Sequence, residues 1–343
     1  MTALGAAVDR LSRQIAAGSE ALGARVEVGA EVLDARAPWM QLAPPGERSA
    51  NGSCRMVQAC DGWLAVNLPR DDDLASVSAW IADDVADDPW PAIRAAARRA
   101  PADRLAEDGQ RLGLPVARVG SVRAAGPGVT LHRFAAGRPD PAKPRRRPKV
   151  IDLSSLWAGP LCGALLAQAG AAVVKVESVG RPDAARLSTP GFFAALNGAK
   201  AHIALDLRDP RDLARLQEMI AASDVLITGA RPRAFDQLGL SPQAVFAANP
   251  GLVWTAITGY GWTGSDSHKV AFGDDAAAAG GLVRWRDGKP RFMGDALADP
   301  LTGLAAAAGT LRALAQGGGL MVDAAMAATA ARAAAEAGLE AAA

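Results

Sequence analysis

Four aspartates lie close together in the last third of the chain, Asp274 and Asp275 in AFGDDAAAAGGL and Asp295 and Asp299 in FMGDALADPLTGL. Each stands at or near the edge of a run of small residues. A carboxylate so flanked can cap a helix, ligate a metal or attack a carbonyl carbon, and glycine neighbours let a ligand approach the backbone. Residue types alone leave the three open. Other side chains suit an anionic or flat ligand: Arg231 and Arg233 in TGARPRAF, Asn197 and Lys200 in LNGAKAHIALD, Lys269 in DSHKV, and Trp157 in SSLWAGP. The tryptophan can stack on a ring or fill the core, and the arginines can hold phosphate or be ordinary surface charge.

The elements that must position them read as an α/β core. From Val150 onward short β-branched runs alternate with helical patterns: VIDL, AAVVKVE, HIALDL, DVLITG and GLVWTAITGYG as strands, with helices between. Asp209 and Ser241 each precede a proline at the first position of a helix, the pattern of an N-cap. Repeated strand, helix, strand units imply right-handed crossovers and a doubly wound, Rossmann-like parallel sheet, with ligands at the strand ends. In that setting Arg231 and Arg233 begin a helix after the fourth strand, where backbone amides also favour phosphate.

Ahead of this core, 1–45 reads as two short helical patterns, and CRMVQACDGWLAVNLPR as a hairpin around Asp61-Gly62. Helices follow in LASVSAWIADDV and PWPAIRAAARRA. The division expected is an N-terminal segment 1–45, a small α+β domain 46–123, a Pro/Arg-rich linker 124–148, the sheet domain 149–329 and an Ala-rich C-terminal helix or tail 330–343. The Arg145–Arg147 run fits a solvated linker face better than a phosphate patch.

Several chemistries are disfavoured. The turn after VIDL is SSLWAGPLCG rather than GxGxxG, so Glu177 at the second strand's end is weak support for NAD. No GxSxG elbow occurs, His132, His202 and His268 form no triad or metal pattern, and three cysteines make no zinc motif or disulfide framework. A net charge of +1 gives no general attraction to nucleic acid or membrane. The 343 residues contain no apolar run long enough to span a bilayer, and the N-terminus reads as no signal peptide; a cytoplasmic protein is expected.

In order, VIDLSSLWAGPLCGALLAQAGAAVVKVE, FFAALNGAKAHIALDLRDP, DVLITGARPRAFDQLGL, NPGLVWTAITGYGWTG and ADPLTGLAAAAGTLRAL resemble the class III CoA-transferase family, which includes formyl-CoA and carnitine CoA-transferases and α-methylacyl-CoA racemases. The resemblance covers most of Val150 to about Asp323. It implies a CoA thioester substrate, a carboxylic acid acceptor, no metal or NAD, and an interlocked homodimer. The family nucleophile is an aspartate followed four residues later by glycine. Asp299 with Gly303 fits; Asp295, with Asp299 at that offset, does not and is assigned loop support.

The racemases add an upstream histidine. Phe272, or Asp274 in a shifted alignment, occupies that position here, which favours transfer over racemisation. Asp274 and Asp275 are then substrate-facing acids or an acidic helix start. By the same resemblance CoA runs along the strand ends past Leu156, Trp157 and Ala158, with Arg231, Arg233 or Lys269 near phosphate. Two departures stand out. The small domain precedes the sheet domain, as in a permuted chain, and the family's glycine-rich loop has only PPGERSANGS, with Gly46 and Gly52, as its nearest match. A racemase or a noncatalytic CoA-binding protein are the alternatives.

Overall fold

The computed structural model describes residues 2–137 and 147–339. In place of two short N-terminal helices, one helix, α1 (Thr2–Ser19), runs for 18 residues. Leu4, Val8, Leu11 and Ile15 recur at helical spacing and are all buried, a stripe that needs a second apolar face. A Cβ on Gly18 would lie 2.8 Å from that of Leu311, so the missing side chain lets α1 close onto the helix carrying Leu311. Short 3-10 turns follow, including Ala30–Asp34 and Ala37–Trp39, and Arg36 lies between these two.

The hairpin forms where the sequence places it: β1 (Cys54–Ala59) and β2 (Gly62–Asn67) pair antiparallel, with Ala59 opposite Gly62. Helices α2 (Asp71–Ala75), α3 (Val77–Ile81), α4 (Trp90–Ala97) and α5 (Ala102–Arg111) lead to β3 (Val116–Arg118), which adds to β2. Val57, Leu64, Trp80, Trp90 and Ile93 belong to this unit's own core.

The stretch read as a linker contains a strand, β4 (Val129–Arg133). Its pairing partner lies far along the chain, so no local pattern announced it. Arg145 and Arg146 lie outside the described residues. Strands β5 (Lys149–Asp152), β6 (Ala172–Ser178), β7 (Ala201–Leu205), β8 (Val225–Thr228) and β9 (Val253–Thr258) then alternate with helices. These are α6 (Ala158–Gln168), α7 (Ala185–Ser188), α8 (Pro190–Asn197), α9 (Pro210–Ala221), α10 (Pro232–Gln237) and α11 (Pro242–Ala248). Asp209 and Ser241 cap as expected, accepting from the N–H groups of Arg211 (2.9 Å) and Ala244 (3.3 Å).

The chain continues through α12 (Gly273–Ala279), the hairpin β10 (Val283–Arg286) and β11 (Lys289–Phe292), α13 (Ala298–Ala315), β12 (Leu320–Ala325) and α14 (Met326–Glu336). The large sheet has the order β4-β12-β9-β8-β5-β6-β7, parallel at every pairing but β4 with β12. Without β4 this is the doubly wound order, and β4 adds an antiparallel edge. Central strands β8 and β9 are buried along their whole length, as strands covered on both faces must be.

Every residue of α13 from Pro300 to Leu311 is buried. Its alanines and glycines let neighbouring helices approach, and a Cβ on Gly303 would stand 2.8 Å from the Ala158 carbonyl of α6. The Ala-rich C-terminus is packed rather than peripheral, since α14 buries Ala327, Ala330, Ala331, Ala333 and Ala334. Residues 340–343 lie outside the described residues. Among the described residues no helix is long and apolar enough to cross a membrane.

Candidate active site

Asp299 is the second residue of α13, and its half-buried carboxylate lies where three helices begin. The Ala158 backbone N–H, at the start of α6, favours its ionised form. At the start of α12, a Cβ on Gly273 would fall 2.3 Å from Asp299 Oδ2 and 2.5 Å from the Ala296 carbonyl. Only glycine permits that approach. The free amides and dipoles of these N-termini favour negative charge at this point. Burial works the other way and is the largest influence, pushing Asp299 up to about 7; Arg36 pulls it down, Asp274 and Asp295 push it further up, and the Ala158 N–H pulls it down.

Around Asp299 stand two more buried carboxylates and one guanidinium. Arg36 grips Asp295 with two bonds, Nε to Oδ2 at 2.7 Å and Nη2 to Oδ1 at 2.5 Å. Its guanidinium also lies 5.2 Å from the centre of the Trp157 ring. Asn51 Nδ2 donates to Asp274 Oδ2 at 2.7 Å and reaches Asp295 Oδ1 at 3.5 Å, while the Ala296 N–H donates to Asp274 Oδ1 at 2.9 Å. Burial raises Asp274 to about 6, against the Asn51 bond. Burial and mutual repulsion therefore make Asp274 and Asp299 harder to ionise than ordinary carboxyls, with the Arg36 charge opposing this.

Asp275 is fully buried and points to the small sheet, accepting from Asn67 Nδ2 (2.8 Å) and the Phe272 N–H (3.0 Å). Burial raises it well above the usual carboxylate range, and its other oxygen has no partner among the described residues. It ties α12 to β2. Phe272 precedes α12, with the Arg70 guanidinium 5.5 Å from its ring centre.

Several residues expected at the ligand spend their polar groups within the protein. Lys200 Nζ donates 2.8 Å bonds to Asp152 Oδ2, the Pro160 carbonyl and Asn197 Oδ1. An ammonium has three donors, so none remains for an anion. Asn197 is fully buried, with its Nδ2 donating to the Phe193 carbonyl at 3.0 Å. Burial alone would raise Asp152, yet Lys200 and Lys175 outweigh it and hold the carboxyl below its ordinary value. These residues brace the loop between β5 and α6 from beneath. Trp157 likewise packs inward, edge-on to Phe192 at 5.0 Å between centroids, so it offers no free face for stacking.

Leu156 is exposed in a left-handed conformation (φ 69°), and its N–H donates to Asp183. Arg231 and Arg233 are exposed at the start of α10, and Arg231 Nη1 reaches the His268 carbonyl at 3.4 Å. Lys269 Nζ pairs with Asp266 at 2.9 Å, 5.6 Å from the centre of the Tyr260 ring. All follow parallel strands, so they share the sheet edge where ligands bind. Glu177 is occupied by Arg186 and the Asp183 N–H.

Arg36, Asn51 and Gly273 are site residues that sequence reasoning missed. Asn51 falls within PPGERSANGS, the stretch noted for Gly46 and Gly52, so a signal existed for it. Arg36 lies in irregular chain with no motif, and only folding brings it to Asp295.

The profile of CoA-transferase family III matches residues 148–343. A succinyl-CoA:glutarate CoA-transferase of Mus musculus is 33% identical over 227 residues, 61% of this chain and 52% of the mouse protein. A formyl-CoA:oxalate CoA-transferase of a Bradyrhizobium species is 34% identical over 192 residues, 52% of this chain and 45% of its own. Among solved structures, a CAIB/BAIF family protein from Brucella suis superposes with a TM-score of 0.51 at 28% identity, covering 55% of this chain and 54% of that one. The chain spans about half the length of the curated relatives it matches.

Proposed function

Because the chain belongs to CoA-transferase family III, we propose that it moves coenzyme A from an acyl-CoA donor to a carboxylic acid acceptor through Asp299. The observation that carries this reading is the Asp299 carboxylate at the start of α13, set directly against Gly273 and within the segment the family profile matches. In the first step an Asp299 oxygen bonds to the thioester carbonyl carbon and the C–S bond breaks. A mixed anhydride and the CoA thiolate result. The thiolate then attacks the aspartyl carbonyl, releasing the donor acid and leaving CoA on Asp299 as a thioester. The acceptor carboxylate opens that thioester to a second anhydride, and returning thiolate yields the new acyl-CoA and free Asp299.

Each half passes through a tetrahedral oxyanion, for which amides at the starts of α6 and α12 are suitable donors. Only ionised Asp299 can begin the cycle. The Arg36–Asp295 pair and the Asn51–Asp274 bond hold the surrounding charge in fixed places, so the reacting carboxylate needs little rearrangement. CoA phosphates would meet Arg231, Arg233 or Lys269 at the sheet edge, with Leu156 along the path.

The small unit preceding the sheet is read as a permuted family domain. In support, the chain just after its last strand bonds to α12, with the Gly120 and Val122 N–H groups donating to the Ala278 and Ala279 carbonyls at 2.9 Å. Homodimerisation and a cytoplasmic setting belong to the same proposal; sedimentation tests the first. Mass spectrometry of intact protein mixed with acyl-CoA and trapped with hydroxylamine or borohydride tests the mechanism. An adduct on Asp299, absent from Asp299→Ala, is expected; bound donor with no adduct in either protein would sink it. An isomerase reading draws on the second raised acid, Asp274, and predicts exchange of the α-proton in deuterated water.

A further inference from the structure

Beside the aspartates a cavity of about 240 Å³ opens between the N-terminal segment and the turn before α13. Leu4, Leu33, Leu42, Pro45, Met293 and Leu297 supply most of its apolar wall. Asp295 forms part of the same wall, and Leu297 is two residues from Asp299. The cavity therefore borders the aspartate cluster at Asp295. Its wall contains two acids, Asp34 and Asp295, and no lysine, arginine or histidine among the described residues. Arg36 commits two donors to Asp295, and Arg291, behind Gly46, lies 3.6 Å from Glu47. An uncharged chain gains from burial here, and a carboxylate meets like charge.

We propose that this cavity is the acyl subsite, accepting an uncharged aliphatic chain of up to about eight carbons, at roughly 30 Å³ per group, and rejecting a dicarboxylic acyl group. The inference rests on the CoA-transferase reading and adds a substrate class to it. It also gives the N-terminal segment a role in specificity, because α1 and the turns after it build half of the wall. Met293, unbranched and adaptable, suits a site that takes more than one chain length.

Titration calorimetry with free CoA, then acetyl-, butanoyl-, hexanoyl-, octanoyl- and glutaryl-CoA, tests this on the full chain. Affinity is expected to rise about fourfold per methylene from acetyl to octanoyl, with glutaryl-CoA at least tenfold weaker than hexanoyl-CoA. Ala43→Trp places an indole at the exposed mouth while keeping the main-chain bond to the Ala50 carbonyl (3.0 Å). That variant should bind free CoA as wild type does and lose the gain beyond butanoyl; Leu42→Ala should extend the gain to longer chains. A flat series in wild type, an unchanged series in Ala43→Trp, or glutaryl-CoA equal to hexanoyl-CoA would overturn the subsite. If free CoA itself fails to bind, the functional reading falls, and the uncharged probe octan-1-ol alone then reports on the cavity. Octan-1-ol binding abolished by Ala43→Trp keeps an aliphatic site there, and no octan-1-ol binding removes it.

Discussion

Replacing Asp299 with asparagine removes the proposed nucleophile and, at the same time, a charge that folding makes hard to hold. In the folded chain the carboxyl titrates at about 7 rather than 3.8, chiefly through burial. Between those values the native state keeps a proton that the unfolded chain has released, so wild-type stability falls as pH rises through this window and the full loss is present above it. The displacement corresponds to ~4 kcal/mol if the site were dry. Solvent reaches the half-buried group, so a difference of about 2 kcal/mol is the figure to test. Asparagine keeps the shape but cannot ionise. Asp299→Asn should therefore be more stable than wild type at pH 8 by this amount, equal to it near pH 4, and devoid of transfer activity. Urea unfolding at pH 4, 6 and 8, with m-values compared, measures the difference. Parallel stability curves at all three pH values, or a less stable variant at pH 8, would refute the argument that burial dominates this carboxyl.

The same electrostatics predict that Arg36→Gln moves the acid limb of the kcat/KM profile upward by about one to three pH units, because the guanidinium is the largest influence holding Asp299 down. A pH–rate profile with an unmoved limb would count against that role. Gly273→Ala puts a methyl group 2.3 Å from Asp299 Oδ2; turnover should drop at least 100-fold, by about 3 kcal/mol of barrier, while circular dichroism stays native. Lys200→Met strands the buried Asp152 carboxylate and should destabilise the fold by about 3–5 kcal/mol, read from the urea midpoint, whereas Asp152→Asn combined with Lys200→Met should recover part of it.

The sequence determined the elements whose signals are local. Alternating apolar runs with Pro-started helices define the strands of the large sheet, Asp61-Gly62 marks the hairpin, and Asp209 and Ser241 mark helix starts, because period, turn residue and cap act within a few positions. Asp299 with Gly303 was singled out differently, by the four-residue offset that the family resemblance implies. The structure adds why that glycine is needed: the Ala158 carbonyl leaves no room for a Cβ there. What tertiary structure decided is where polar side chains spend their bonds. Lys200 and Asn197 read as ligand contacts until folding wraps three acceptors around one ammonium. Trp157 reads as a stacking surface until Phe192 and Arg36 pack against it. Strand β4 and Arg36 find their partners across more than a hundred residues of chain, and no local pattern encodes such a meeting. The electrostatic character of the aspartates is likewise collective, since burial and one shared guanidinium exist only once α1, the N-terminal turns, α12 and α13 have closed around them.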